Sequence, residues 1–167
     1  MSPSDSDAYE DWLADRLEER LRALGAKDPA CTRAGCVEQD PFALTGAHPD
    51  ILCYEHRAET RGRSWLEDDH PAGEANAAFA TPIPGNDHRV RTETYQAAWP
   101  QETLRNPDGS VLLKAAAAVR AWLDHMRLII DRTVGWVPEL LELLDAWLRT
   151  RLGPHWWDDF LAWAGAR

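Results

Sequence analysis

The sequence is short of basic residues. Its 167 residues carry 18 Lys and Arg against 28 Asp and Glu, a formal net charge of −10. A protein that grips nucleic acid by charge alone needs a cationic excess to replace the phosphate counterions, so the balance argues against tight nonspecific binding of that kind. The deficit is general: residues 1–30 hold four basic and eight acidic side chains, residues 31–110 seven and thirteen, and residues 111–167 seven of each. Long apolar runs are missing as well. No stretch approaches the roughly 18 residues needed to cross a bilayer, and charges at helical spacing interrupt the leucine-rich C-terminal segments. The opening Met1-Ser2-Pro3-Ser4-Asp5-Ser6-Asp7 lacks the basic and apolar regions of a secretory leader, so a cytoplasmic protein with no membrane partner is expected. Cysteine is scarce and odd in number. Three thiols without an export signal disfavour a disulfide framework and leave metal ligation or burial. There is no repeat at any period of 20–50 residues and no low-complexity tract. What remains, 44% apolar and 28% charged, is the composition of a folded globular chain of about one domain.

Four regions are expected. Residues 1–30 carry an amphipathic helix, because Tyr9, Trp12, Leu13, Leu17, Leu21 and Leu24 recur every three or four positions, from about Asp7 to a stop at Gly25. Residues 31–99 begin with a Gly-, Pro- and Cys-rich stretch of no sustained period that needs a staple to hold it. Strands are predicted over Trp65–Asp69 and Phe79–Ile83, with a long connection, followed by a helix capped by Asn86 or Asp87 and running towards Trp99. Residues 100–110 read as a linker containing the turn Asn106-Pro107-Asp108-Gly109. Residues 111–167 read as helices over Val111–Asp131, Val137–Leu152 and Trp156–Ala164. Their apolar spacing, through Leu112, Leu113, Val119, Trp122, Leu123, Met126 and Ile130 and then Leu140, Leu141, Leu144, Trp147 and Leu148, predicts core. This region holds six of the nine tryptophans. The terminal cluster of Trp156, Trp157, Phe160, Leu161 and Trp163 points to a surface for a protein partner or a homodimer. Asp158 and Asp159 beside those rings argue against base stacking.

Cys31 and Cys36 form C-x4-C, and Cys53 with His56 forms C-x2-H after sixteen intervening residues. Two short pairs closed by a loop suit tetrahedral zinc, so a structural Cys3His zinc is expected. His48 is a competing fourth ligand, less suitable because it lies beside Pro49. Downstream, Glu67-Asp68-Asp69-His70 ends the first predicted strand, and His88 falls on the first turn of the following helix. A strand end and a helix start in one hairpin-helix unit can converge. Asp69 and His88 are suitable ligands for a divalent ion that keeps water positions open, and His70 is then free to accept a proton.

Asp69-His70, Asn76 and His88, behind a cysteine-rich knuckle, resemble the HNH endonucleases of the His-Me finger, or ββα-metal, superfamily over about residues 31–95. The resemblance implies an α+β chain: a small zinc-stapled finger with an N-terminal helix and a C-terminal helical bundle. It implies hydrolysis of DNA phosphodiester bonds with Mg2+ or Mn2+, with His70 as general base and Asp69 and His88 as ligands of the catalytic ion. Asn76 is the counterpart of the family's middle Asn, which supports the loop or the base, and Asn86 is a rival for that place. A cysteine pair common just before the family's final His is replaced here by Gly85-Asn86-Asp87. Arg63, Arg89 and Arg91, with Arg57 and Arg61, lie near enough in sequence to contact flanking phosphates. The alternative is a catalytically inactive zinc-stapled module that binds protein or nucleic acid. A third reading, a toxin-like or defence nuclease whose partner supplies basic surface, accounts for the charge of −10.

Overall fold

The computed structural model describes residues 3–77 and 79–157. It is an α+β chain, largely helical, with two small antiparallel sheets. Helix α1 (Pro3–Leu24) is followed by a one-turn 3-10 helix at Pro41–Ala43, strands β1 (Leu44–Thr45) and β2 (Leu52–Cys53), and helix α2 (Tyr54–Thr60). Strands β3 (Leu66–Asp69) and β4 (Thr81–Pro84) then lead into α3 (Gly85–Val90), which widens into a π-helical turn at Arg91–Tyr95 and tightens again at Gln96–Ala98. Helices α4 (Gln101–Arg105), α5 (Val111–Val134) and α6 (Val137–Leu152) complete the described order. No helix among the described residues is long and apolar enough to cross a membrane.

Among the described residues, two small cores carry much of the packing. Leu24 from the end of α1 is buried with Cys31, Leu44, Ile51 and Cys53, so the cysteine segment folds around the helix rather than beside it. The helix is also tied there by polar groups: Arg20 donates to the carbonyls of Pro41 and Leu44, and the His48 N–H donates to Leu24 O at 2.8 Å. Asp40 caps the 3-10 turn by accepting from the Phe42 N–H. The second core gathers Ala72, Trp99, Ala117 and Ala121, with Ala77 and Leu104 against it. These small side chains let α5 approach the β3–β4 connection closely, and the Trp99 indole N–H donates to the buried Asp124 carboxylate at 2.9 Å.

That packing changes the expected face of α5. Leu112, Val119, Trp122 and Met126, expected in a core, are exposed, while Ala117, Ala121 and Asp124 are buried. The alanine face wins because only small residues fit the short distance to the connection below. Along α6, Leu140, Leu141, Leu144 and Trp147 are likewise exposed, and none of its side chains is buried.

Residues 100–110 are no free linker. Asn76 donates to the carbonyls of Ala72 and Thr103 at 2.9 Å and accepts from Asn106 at 3.0 Å, stitching the long β3–β4 connection to α4. Asn106 ends α4 with φ 37°, a left-handed conformation that asparagine tolerates better than most residues. Gly73 has φ 80°, and a Cβ there would stand 3.1 Å from the Leu104 side chain, so the close seat of α4 on this loop requires glycine. Asn76→Ala should therefore cost about 1–3 kcal/mol in urea denaturation, because it takes a donor from the buried Ala72 and Thr103 carbonyls and one of the two acceptors from the Asn106 amide. A loss under half that range would mean that the stitching carries little.

Compact packing divides the chain at Met126, giving units Met1–Met126 and Arg127–Arg167, rather than at the turn after Arg105. Within the second unit Trp156 donates to Asp145 at 2.9 Å and meets Trp157 edge-on. The rest of the predicted terminal helix, with Phe160, Leu161 and Trp163, lies outside the described residues.

Candidate metal and catalytic sites

The four residues of the upstream pattern meet. Sγ of Cys31, Cys36 and Cys53 and a ring nitrogen of His56 all lie within 4.8 Å of one another. Cys53 occupies the position before the first turn of α2 and His56 lies within that turn, so a spacing of three puts both on one side of the helix start. His56 Nδ1 stands 3.1 Å from Cys53 Sγ and 3.5 Å from Cys31 Sγ. Ligands of a tetrahedral zinc with bonds near 2.3 Å to sulfur and 2.0–2.1 Å to nitrogen are separated by roughly 3.5 Å, so little movement is needed to close on an ion. The cluster is one that could hold a structural metal such as zinc; His48 is not part of it.

The thiols are unequal before any metal arrives. Burial pushes the Cys31 thiol up, but N–H donation from Cys53 and Arg33 and the contacts with His56 and Cys36 outweigh it and bring it down to about 7. Burial dominates at Cys53 and raises it to about 11, with the neighbouring Cys31 and Cys36 adding to the rise.

The second candidate site lies on β3, β4 and α3. The hairpin pairs Glu67 with Ile83 and Asp69 with Thr81. Glu67 and Asp69, two residues apart, emerge on the same face, and that face meets α3. His88 Nδ1 donates to Glu67 Oε2 at 2.6 Å, while its Nε2 lies 3.5 Å from Asp69 Oδ1. Glu67 also accepts from Arg89 at 3.0 Å. Asp69, His70 and His88 line one cavity of about 510 Å³, which Gly73, Thr92 and Arg105 help to enclose. The sequence thus located the three residues that share a cavity. His70 Nδ1 and Asp69 Oδ2 are buried and make no hydrogen bond among the described residues.

Two residues, Arg91 and Asn86, sit elsewhere than expected. Arg91, expected on a phosphate, is fully buried, pairs with Asp69 and donates to Pro71 O at 3.3 Å. The π-helical turn that starts there faces it inward, so it is a partner of the carboxylate and does not reach a solvent phosphate. Asn76 holds the loop, one of the two roles expected of it. Asn86, its rival, does not cap α3: it accepts from the Glu55 N–H at 3.2 Å and donates to Glu38 at 3.1 Å, joining α3 to α2 and the cysteine segment. Arg63 and Arg89 lie at a cavity surface, Arg89 paired with Glu67. With Arg57 and Arg61 they line a neighbouring cavity of about 460 Å³, and Arg89 stacks over the Tyr54 ring at 4.9 Å.

Two neighbours of Asp69 were missed. Glu67 holds His88, and the signal for it was its place two residues before Asp69 on a strand. His125 reaches the site from α5, with Nε2 3.6 Å from Asp69 Oδ2. Asp124-His125 is a polar pair inside an apolar helical stretch, which was the available clue.

Comparisons with family models, with curated proteins and with solved structures found no match for this chain.

Proposed function

We propose that this chain is a metal-dependent HNH-type endonuclease that hydrolyses DNA phosphodiester bonds, with His70 as general base and Asp69 and His88 as ligands of the catalytic ion. The observation that carries the reading is the single cavity shared by Asp69, His70 and His88 at the junction of hairpin and helix. The donor set suits a divalent ion on chemical grounds. Glu67 can only accept, so His88 Nδ1 carries the proton, and a neutral ring then turns the Nε2 lone pair towards the Asp69 carboxylate. A carboxylate orienting a histidine in this way is the usual support of a metal ligand.

An ion bound there supplies positive charge to the scissile phosphate and to the leaving 3′ oxygen. His70, whose Nδ1 has no partner among the described residues, takes a proton from the attacking water as its oxygen bonds to phosphorus. The phosphorus–oxygen bond to the 3′ side then breaks, and solvent returns a proton to that oxygen. Arg57, Arg61, Arg63 and Arg89 in the adjoining cavity suit flanking phosphates, which concentrates positive charge locally on a chain that is acidic overall. The exposed apolar side chains of α6 support a protein partner or a second copy as an additional associate.

A second reading, a non-cleaving zinc-stapled binding module, is favoured by Arg91. A carboxylate already matched by a buried guanidinium has less charge to offer an ion. Supercoiled plasmid separates the two. With Mg2+ or Mn2+ the wild-type protein should nick it, and EDTA should stop the reaction. His70→Ala should lower the rate by about 10²- to 10⁴-fold while leaving circular dichroism unchanged. Equal inertness of both proteins in both metals would establish the module instead.

A further inference from the structure

We infer that the arginine-lined cavity beside Glu67 seats a phosphomonoester, the terminal phosphate of a nucleotide or of a nucleic-acid strand end. This rests on the phosphate role proposed above for its arginines and deepens it, but it needs neither cleavage nor an ion at Asp69.

Four guanidiniums share that cavity of about 460 Å³, from Arg57, Arg61, Arg63 and Arg89, and among the described residues lining it Glu67 is the one acid. Local sequence gathers three of them. Arg57 lies in the last turn of α2 and Arg61 at its C-cap, four residues on, so the two share a side of the helix. Gly62, with φ 65°, then turns the chain, and the Arg63 N–H donates back to Ala58 O at 2.9 Å, which keeps Arg63 beside the same helix end. Arg89 comes from α3, over the Tyr54 ring at 4.9 Å and paired with Glu67 at 3.0 Å.

Like charges gathered in this way repel, and a chain of net charge −10 has acids enough to pair them. Yet among the described residues only Arg89 of the four has an ion pair, and its Glu67 is shared with His88. Donors are left over as well. Arg89 Nε is buried with no hydrogen bond among the described residues. Ser64, also in the lining, accepts the Leu66 N–H on its Oγ at 3.0 Å, which leaves its own O–H to donate. The charge then decides between kinds of phosphate. Four guanidiniums against one carboxylate leave an excess of three positive charges. A backbone phosphodiester brings about one negative charge, whereas a terminal phosphate brings about 1.5–2 at pH 7 and three strong acceptor oxygens. Guanidinium forks match such oxygens two at a time, so the monoester answers both the charge and the donors. The volume lies in the range of small-ligand sites, about 300–1,000 Å³, and a terminal nucleotide fits it.

The test uses the full chain with its cysteine site loaded with zinc and no Mg2+ or Mn2+, so that nothing is cut. One arm measures fluorescence anisotropy of a single-stranded oligodeoxynucleotide ending in a 5′ phosphate, a 3′ phosphate or hydroxyls only. The other compares a deoxynucleoside monophosphate with the deoxynucleoside by calorimetry. At pH 7.5 the phosphorylated member of at least one arm should bind at least about tenfold more tightly. The preference should shrink at pH 5.5, below the second phosphate ionisation near pH 6. Preference in the first arm alone assigns the site to strand ends, and preference in the second to free nucleotides. Arg61→Ala with Arg63→Ala, both at exposed positions, should abolish it with circular dichroism and zinc content unchanged. Lysine at the same two positions keeps the charge without the fork and should restore only part. Equal affinity for phosphate and hydroxyl in both arms, or a preference that survives the double alanine variant, would overturn the inference. Plasmid nicking with added metal is read separately, so that failure would leave the endonuclease reading standing.

Discussion

Cys53→Ser should unfold the cysteine segment and with it the seat of α1. The residue is about 1% exposed, packs with Leu24, Cys31, Leu44 and Ile51, and is one of the four candidate ligands. Structural zinc contributes about 10–16 kcal/mol in isolated finger peptides, because the ligands are not gathered in the unfolded chain. Here the core shares the task, so the expected loss is at least about 3 kcal/mol, a fall in Tm on the order of 10 °C. Chelation of the wild-type protein should produce the same change, and added zinc should reverse it. The effect has a predictable pH dependence. Zinc takes Cys53 as thiolate, and a thiol at about 11 must release its proton at any lower pH, so apparent affinity rises about tenfold per pH unit from this group alone. Below about 7 the Cys31 thiol also takes up a proton, and affinity falls more steeply. Calorimetry in buffers of different ionisation enthalpy reads the proton release directly. No release at pH 7.5, or an unaltered melting curve after chelation, would show that no metal is bound by these residues.

Breaking the pair between Asp69 and Arg91 is the second large effect. Both side chains are almost wholly buried, and among the described residues Arg91 has no other acceptor than the Pro71 carbonyl. Asp69→Asn keeps the volume but strands a guanidinium in the interior, which costs about 3–5 kcal/mol. Asp69→Asn combined with Arg91→Met should recover a good part of that loss, since an apolar side chain of similar length needs no counter-charge. Denaturant melts of the two single variants and the double variant then give a coupling of roughly 1–3 kcal/mol. Additive losses would mean that the pair is not coupled. The same cycle bears on function. If Arg91→Met alone tightens Mn2+ binding, the guanidinium competes with the ion for Asp69, and the carboxylate is divided between a structural and a catalytic role.

Much of the local structure was legible. Helix α6 has the bounds predicted from its punctuation, α1 ends at the expected glycine, and the strand carrying Asp69 ends where its turn signals begin. Each is set by residues close in sequence, through periodicity, capping and glycine or proline breaks. The four-ligand cluster was legible for a similar reason: two short spacings can be read as two corners of a tetrahedron, and only their meeting needs a fold. Less visible was the use of polar side chains as ties. Asn76, Asn86 and Asn106 hold segments 27 to 48 residues apart in sequence, and nothing local distinguishes an amide with such a partner from one in solvent. Arg91 was misjudged on the same ground. Its neighbours Arg89 and Arg63 line an open cavity, whereas a single widened helical turn carries Arg91 inward.

From residues alone came the cysteine and histidine pairs, the strand-end carboxylate with its adjacent histidine, and the helix-borne histidine, because ligand chemistry is a property of residue type and short spacing. Tertiary structure decided which groups surround Asp69. Arg91 is turned in by the irregular helix, and His125 arrives on α5 because an alanine face packs closely against the connection between β3 and β4. Such neighbours are chosen by the distance at which two surfaces can pack, and that distance depends on side chains from both surfaces, which no single stretch of sequence contains.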